Sequence, residues 1–127
     1  QGEGYIFLSE DGGETWTAQT SLTQLWSSVA SSGEISVAAG ALGTLSSTDG
    51  VDWTSDGSSA SMLTKVIWTG TQFMAVGFKG VVQTSPDGTA WTTQELSGSP
   101  VLRSVAWSGQ KYVAMGSRSS DGMSLIL

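Results

Sequence analysis

Three aspartates, Asp11, Asp49 and Asp87, stand 38 residues apart, each inside the same short phrase. Ser9-Glu10-Asp11-Gly12-Gly13-Glu14-Thr15-Trp16 returns, one residue shorter, as Ser47-Thr48-Asp49-Gly50-Val51-Asp52-Trp53 and as Ser85-Pro86-Asp87-Gly88-Thr89-Ala90-Trp91. A second phrase interleaves with it. Trp68–Gly77 and Trp107–Gly116 share W-x-G-x-x-aromatic-apolar-A-apolar-G at an offset of 39, and Ser31–Gly40 is a weaker copy 37 residues before the middle one. A chain with such a period folds as repeated units that bury their apolar faces on one another.

Each period holds four short strand-like runs. In the middle copy they are Leu63–Trp68, Phe73–Val76, Val81–Ser85 and Ala90–Thr93, broken at Thr69-Gly70, at residues 77–80 and at Pro86-Asp87-Gly88. Asp-Gly and Pro-Asp-Gly mark tight turns, because Gly accepts positive φ and Asp bonds its own backbone. No apolar 3.6-residue period survives, and β-branched residues, Ser and Gly crowd out helix formers. The fold class is all-β, and the period and strand count match a β-propeller blade, a four-stranded antiparallel sheet stacked on its neighbours.

The phrase S-x-D-G-G-x-T-W resembles the Asp-box, or BNR, repeat of sialidases, other glycan-cleaving propellers, sorting receptors and photosystem assembly factors. The whole pattern looks like the bacterial BNR-like repeat proteins. The resemblance implies structural roles for Ser9, Asp11, Gly13, Thr15 and Trp16, for Ser47, Asp49, Gly50 and Trp53, and for Ser85, Asp87, Gly88 and Trp91. The Asp would accept turn amides between the third and fourth strands, and the Trp would pack between blades. Two of the copies lack one residue and the Thr before Trp, so their turns are expected to be tighter.

With strands lettered A to D from the centre outward, residues 1–20 supply strands C-D. Residues 21–58 and 59–97 supply full blades, and residues 98–127 supply strands A-B-C, all within one domain, 1–127. Three blades cannot close a ring. Open ends would expose strand edges and apolar faces. A homodimer closing a six-bladed ring is therefore expected, the N-terminal C-D strands completing the partner's last blade; a piece of a longer propeller is the alternative. Both termini offer a strand C, and only one can pair.

Composition narrows the chemistry. There is no Cys, so no disulfide or thiolate, and no His, the commonest general base and metal ligand. Five cations against eleven carboxylates argue against nucleic acid and anionic membranes as partners. Apolar runs are too short to span a bilayer. No signal peptide is seen, and Gln1 in place of Met suggests a trimmed product. Ser, Thr and Gly supply 53 of 127 residues, yet 39% hydrophobic content with six Trp favours a packed fold over disorder. The acidic, Ser/Thr-rich surface and the family's habits point to an extracellular or periplasmic setting.

Neither catalysis nor a cofactor is expected. The turn aspartates lie a blade apart and cannot pair as catalytic carboxylates or form a metal shell. Sialidases hold substrate with three arginines and a Tyr nucleophile. This chain has only Arg103 and Arg118, and Tyr5 and Tyr112 fall at packing positions on strands. Trp26, Trp68 and Trp107 read as core, with the lining of a pocket as the alternative for Trp26. The cations are the informative asymmetry. Lys79 and Arg118 fall in B–C loops and Lys65 and Arg103 at the starts of A strands, which places four of five on one face; Lys111 alone falls in an A–B loop. Lys65, Phe78, Lys79, Arg103 and Arg118 are therefore the candidate site for a glycan or an acidic protein surface. The alternatives are a self-assembling scaffold, designed or reconstructed, without a ligand, and a fragment of a glycan-active enzyme.

Overall fold

A computed structural model describes residues 4–22, 26–55, 62–117 and 124–126. It is all-β, arranged as small antiparallel meanders. β1 (Gly4–Leu8) and β2 (Thr17–Leu22) form the first sheet; β3 (Trp26–Ser31), β4 (Ser36–Gly40) and β5 (Gly43–Ser47) form the second. The third comprises β6 (Leu63–Trp68), β7 (Phe73–Gly77), β8 (Val81–Ser85) and β9 (Thr92–Glu95). The fourth comprises β10 (Val101–Trp107), β11 (Tyr112–Ser117) and β12 (Ser124–Ile126).

Among the described residues only the third sheet shows the expected four strands. In the second, the described residues give the fourth strand one bridge, Ser46 with Thr54. β2 runs two residues past the expected boundary at 20. β9 begins at Thr92, where Ala90 was expected. The ladder starts only at Thr84 opposite Thr92, because Trp91 is committed to the core.

The sheets pack face to face. Between the second and third, Val37, Ala39, Leu63, Val66, Phe73, Ala75, Val81 and Trp91 form one core. Between the third and fourth, Met74, Val76, Leu102 and Val105 form another, with Tyr112 and Ala114 against it. Alternation along β7 separates Phe73 and Ala75 from Met74 and Val76, so this strand feeds both cores. The first strands lie nearest one another and are stitched by hydroxyls. Ser28 Oγ accepts from the Val66 N–H at 3.1 Å, and Thr64 Oγ1 donates to the Leu102 carbonyl at 2.6 Å.

Both repeated phrases have local explanations. In W-x-G-x-x-aromatic, Gly70 and Gly109 take φ of 106° and 101°. The hairpin they close brings Trp68 to 4.7 Å from Phe73 and Trp107 to 4.4 Å from Tyr112, centroid to centroid. In the Ser-x-Asp-Gly turns the serine hydroxyl accepts from a glycine N–H: Gly13 to Ser9, Gly50 to Ser47, Gly88 to Ser85. Asp11 Oδ1 accepts from the amides of Glu14 and Thr15, whereas Asp49 reaches Val51 and Asp52, and Asp87 reaches Thr89 and Ala90. The two shorter copies thus close one residue earlier.

These bonds favour the ionised carboxylates. The Thr15 hydroxyl and amide hold Asp11 down to about 2; the amides of Thr89 and Ala90 hold Asp87 down to about 2. The amides of Asp52 and Val51 lower Asp49. Because the folded values lie below the unfolded value of 3.8, the stabilisation is complete above about pH 4 and is lost as pH falls toward 2. Asp87→Ala is expected to cost about 1 kcal/mol at neutral pH after allowance for solvent screening. The triple variant Asp11→Asn, Asp49→Asn, Asp87→Asn should melt lower at pH 7. Its melting temperature should also fall less than that of wild type between pH 4 and 2, read by circular dichroism; parallel pH profiles would contradict the role.

Candidate functional site

One end of the stacked sheets gathers the connections β4–β5, β7–β8 and β9–β10, together with Met62 just before β6. Residues 78–80 form a single 3-10 turn in which Lys79 takes a left-handed conformation, φ 62° and ψ 27°. Its neighbours are pinned by backbone bonds. The Phe78 N–H donates to Met62 O at 3.0 Å, Gly80 N–H to Pro100 O at 2.6 Å, and Leu96 N–H to Gly80 O at 2.8 Å. Met62 in turn donates to Ala41 O at 2.8 Å. The network ties three sheets together at this end and leaves the Lys79 side chain exposed on a fixed turn.

Arg103 reaches the same place by a different device. The pairing of β10 with β11 shifts register between Leu102 and Ser104, so Arg103 is the bulged residue. A bulge kinks the strand and re-aims a side chain. Arg103 is exposed, and its guanidinium carbon stands 5.9 Å from the Phe78 ring centroid, within reach of a cation–π contact. The same shift recurs at Ser27 on β3 and Thr64 on β6. Only the third occurrence carries a charge.

Phe78, Lys79 and Arg103 are thus brought together. Lys65 is half-buried on β6, paired with Val76 and next to Thr64, whose hydroxyl bonds Leu102. Arg118 lies outside the described residues. Carboxylates concentrate at the opposite end, where Asp87 and Pro86 sit over the Ser32–Ile35 loop and Trp68.

Two further features follow from packing and carry little sequence signal. A cavity of about 340 Å³ separates the first and second sheets, lined by Tyr5, Phe7, Trp26, Val29 and Trp53. Trp26, read as core or as pocket lining, is half-buried at its wall. An apolar cleft of about 370 Å³ opens between the third and fourth sheets, beside Met74, Val76, Val82, Tyr112 and Ala114. Among the described residues, no three acidic, His or Cys side chains are grouped to hold a metal ion, and no helix is long and apolar enough to cross a membrane. No protein-family model, curated protein or solved structure matches the chain.

Proposed function

We propose that the chain is a non-catalytic binding module of β-propeller type. Its four small sheets act as blades, and it recognises an acidic glycan or protein surface through the end that carries Phe78, Lys79 and Arg103. The observation that carries this reading is Arg103 standing over Phe78 beside the exposed Lys79. Two cations from different sheets flank an aromatic face on backbone that is pinned by interstrand bonds. In a chain of net charge −6, this local excess of positive charge attracts an anionic ligand while the acidic remainder of the surface repels it. An aromatic ring flanked by donors also suits a sugar ring that carries a carboxylate or sulfate.

The test is titration with a carboxylated and a sulfated oligosaccharide at low ionic strength. Lys79→Glu combined with Arg103→Glu should weaken binding at least tenfold and leave the melting temperature unchanged, because both side chains are exposed. Binding that survives the double reversal would refute the face assignment. A wild-type chain that binds neither probe nor an acidic peptide would favour a self-assembling scaffold without a ligand.

A further inference from the structure

We propose that the end carrying Phe78, Lys79 and Arg103 takes an acidic protein segment with an apolar anchor. This extended peptide sets large apolar side chains on Leu42 and Met62 and carries its carboxylates onward to Lys79 and Arg103. The inference rests on the reading of this end as the binding face and adds the class of partner. Beside the cations lies an apolar strip that the charges leave unexplained. Leu42 is 70% exposed and Met62 46%. The Met62 N–H donates to the Ala41 carbonyl, and the Met62 carbonyl accepts from the Phe78 N–H. Backbones bonded in this way run side by side about 5 Å apart. Leu42, Met62 and Phe78 therefore form a row of roughly 10 Å from the second sheet to the third. Arg103, from the fourth, stands at its far end, 5.9 Å from the Phe78 ring centroid.

The backbone places side chains here where glycine would be less strained. Among the described residues, the non-glycine residues with positive φ are Met62 (59°), Lys79 (62°) and Ser99 (49°), and all three lie at this end. At the opposite end the left-handed positions, Gly33, Gly50, Gly70, Gly88 and Gly109 among them, are all glycines. A left-handed conformation disfavours an L residue but not glycine. Strain confined to one end, and borne there by Met62 and Lys79, points to a use for those side chains.

The row selects a protein over a glycan. Leu42 and Met62 gain from burial against apolar groups. A sugar laid on them would lose water from its hydroxyls to a surface with no partner for them. Met and Arg are also among the side chains favoured in protein interfaces. Charge complementarity orients the occupant, with its acids toward the third and fourth sheets and its apolar residues toward the second. At about 3.3 Å per extended residue, the row separates the anchor from the first carboxylate by about three residues.

Fluorescence anisotropy with three labelled probes tests this on the 127-residue chain. They are the peptide Leu-Phe-Gly-Asp-Asp-Glu, the same peptide with Ser in place of Leu and Phe, and a sulfated oligosaccharide. The first should bind at least tenfold tighter than the other two, a comparison that needs no variant. Leu42→Ser combined with Met62→Asn should bring the first peptide to the level of the second. The circular dichroism spectrum should not change, since both side chains are exposed and asparagine accepts the left-handed backbone. Lys79→Glu combined with Arg103→Glu should weaken all three probes, and Lys111→Glu, at the opposite end, none. Equal affinity for the two peptides, or a first peptide indifferent to the Leu42 and Met62 changes, would overturn the apolar anchor and leave the cationic face standing. Tighter binding of the oligosaccharide would overturn it in favour of a glycan site. Binding that ignores the charge reversal would refute the face itself, and a chain that binds no probe at millimolar concentration would overturn both readings.

Discussion

Gly77→Ala and Gly116→Ala are each expected to destabilise the chain by about 3 kcal/mol or more, a far larger loss than most single substitutions produce. Neither glycine is there for its dihedral freedom. Gly77 pairs with Leu63 and Gly116 with Leu102, the residues just before the bulges at Thr64 and Arg103. The bulge bends the innermost strand onto its neighbour. A Cβ on Gly77 would be driven into the Met62 carbonyl oxygen and stand 2.9 Å from Leu63 Cα. On Gly116 it would be driven into the Val101 carbonyl and lie 2.8 Å from Leu102 Cα. These obstacles are backbone, so relief requires undoing the bulge, and with it the Thr64–Leu102 bond and the aim of Arg103. Gly33→Ala is the control. Its φ of 98° makes alanine strained, but a Cβ there meets nothing within 4 Å, so the cost should stay near 1 kcal/mol. Urea unfolding followed by tryptophan fluorescence would separate the two cases. Equal losses at the two kinds of site would show that close approach is not the cause.

That contrast also marks what the sequence could convey. The repeated glycine at the end of each second strand was visible at positions 40, 77 and 116, but its reason was not, because a β-bulge needs one unpaired residue and no particular residue type. Ser27, Thr64 and Arg103 share that position although two carry a small hydroxyl and the third a long charged side chain. The strands of the middle copy were legible because Gly and Asp-Gly punctuate them and β-branched residues fill them. The late start of β9 was not, since Ala90 and Trp91 read as strand while the ladder begins at Thr92. Of the candidate site, its location at the loop end could be read from which connections hold Lys79 and Arg103. The approach of Arg103 to Phe78, twenty-five residues away in sequence, depends on the bulge and on Gly80 meeting Pro100. The open cleft is a property of packing and leaves no mark on any single segment.

Trp91→Ala should lower stability by about 3 kcal/mol, which for a domain of this size corresponds to a melting temperature reduced by roughly 10 °C. Trp91 is the largest side chain in the core between the second and third sheets, packed with Val37, Leu63, Phe73 and Val81, and its removal leaves a void among rigid strands that cannot collapse. Gly88, at the turn just before it, already leaves no slack. A Cβ there would approach Val37 Cγ2 to 2.8 Å, so the turn is seated against the second sheet. The same truncation at Trp53, half-buried beside the cavity between the first and second sheets, should cost less. At Trp16 it should cost the isolated chain almost nothing. The three indoles follow the same type of turn, so the graded loss measures how well the preceding sheet covers each one.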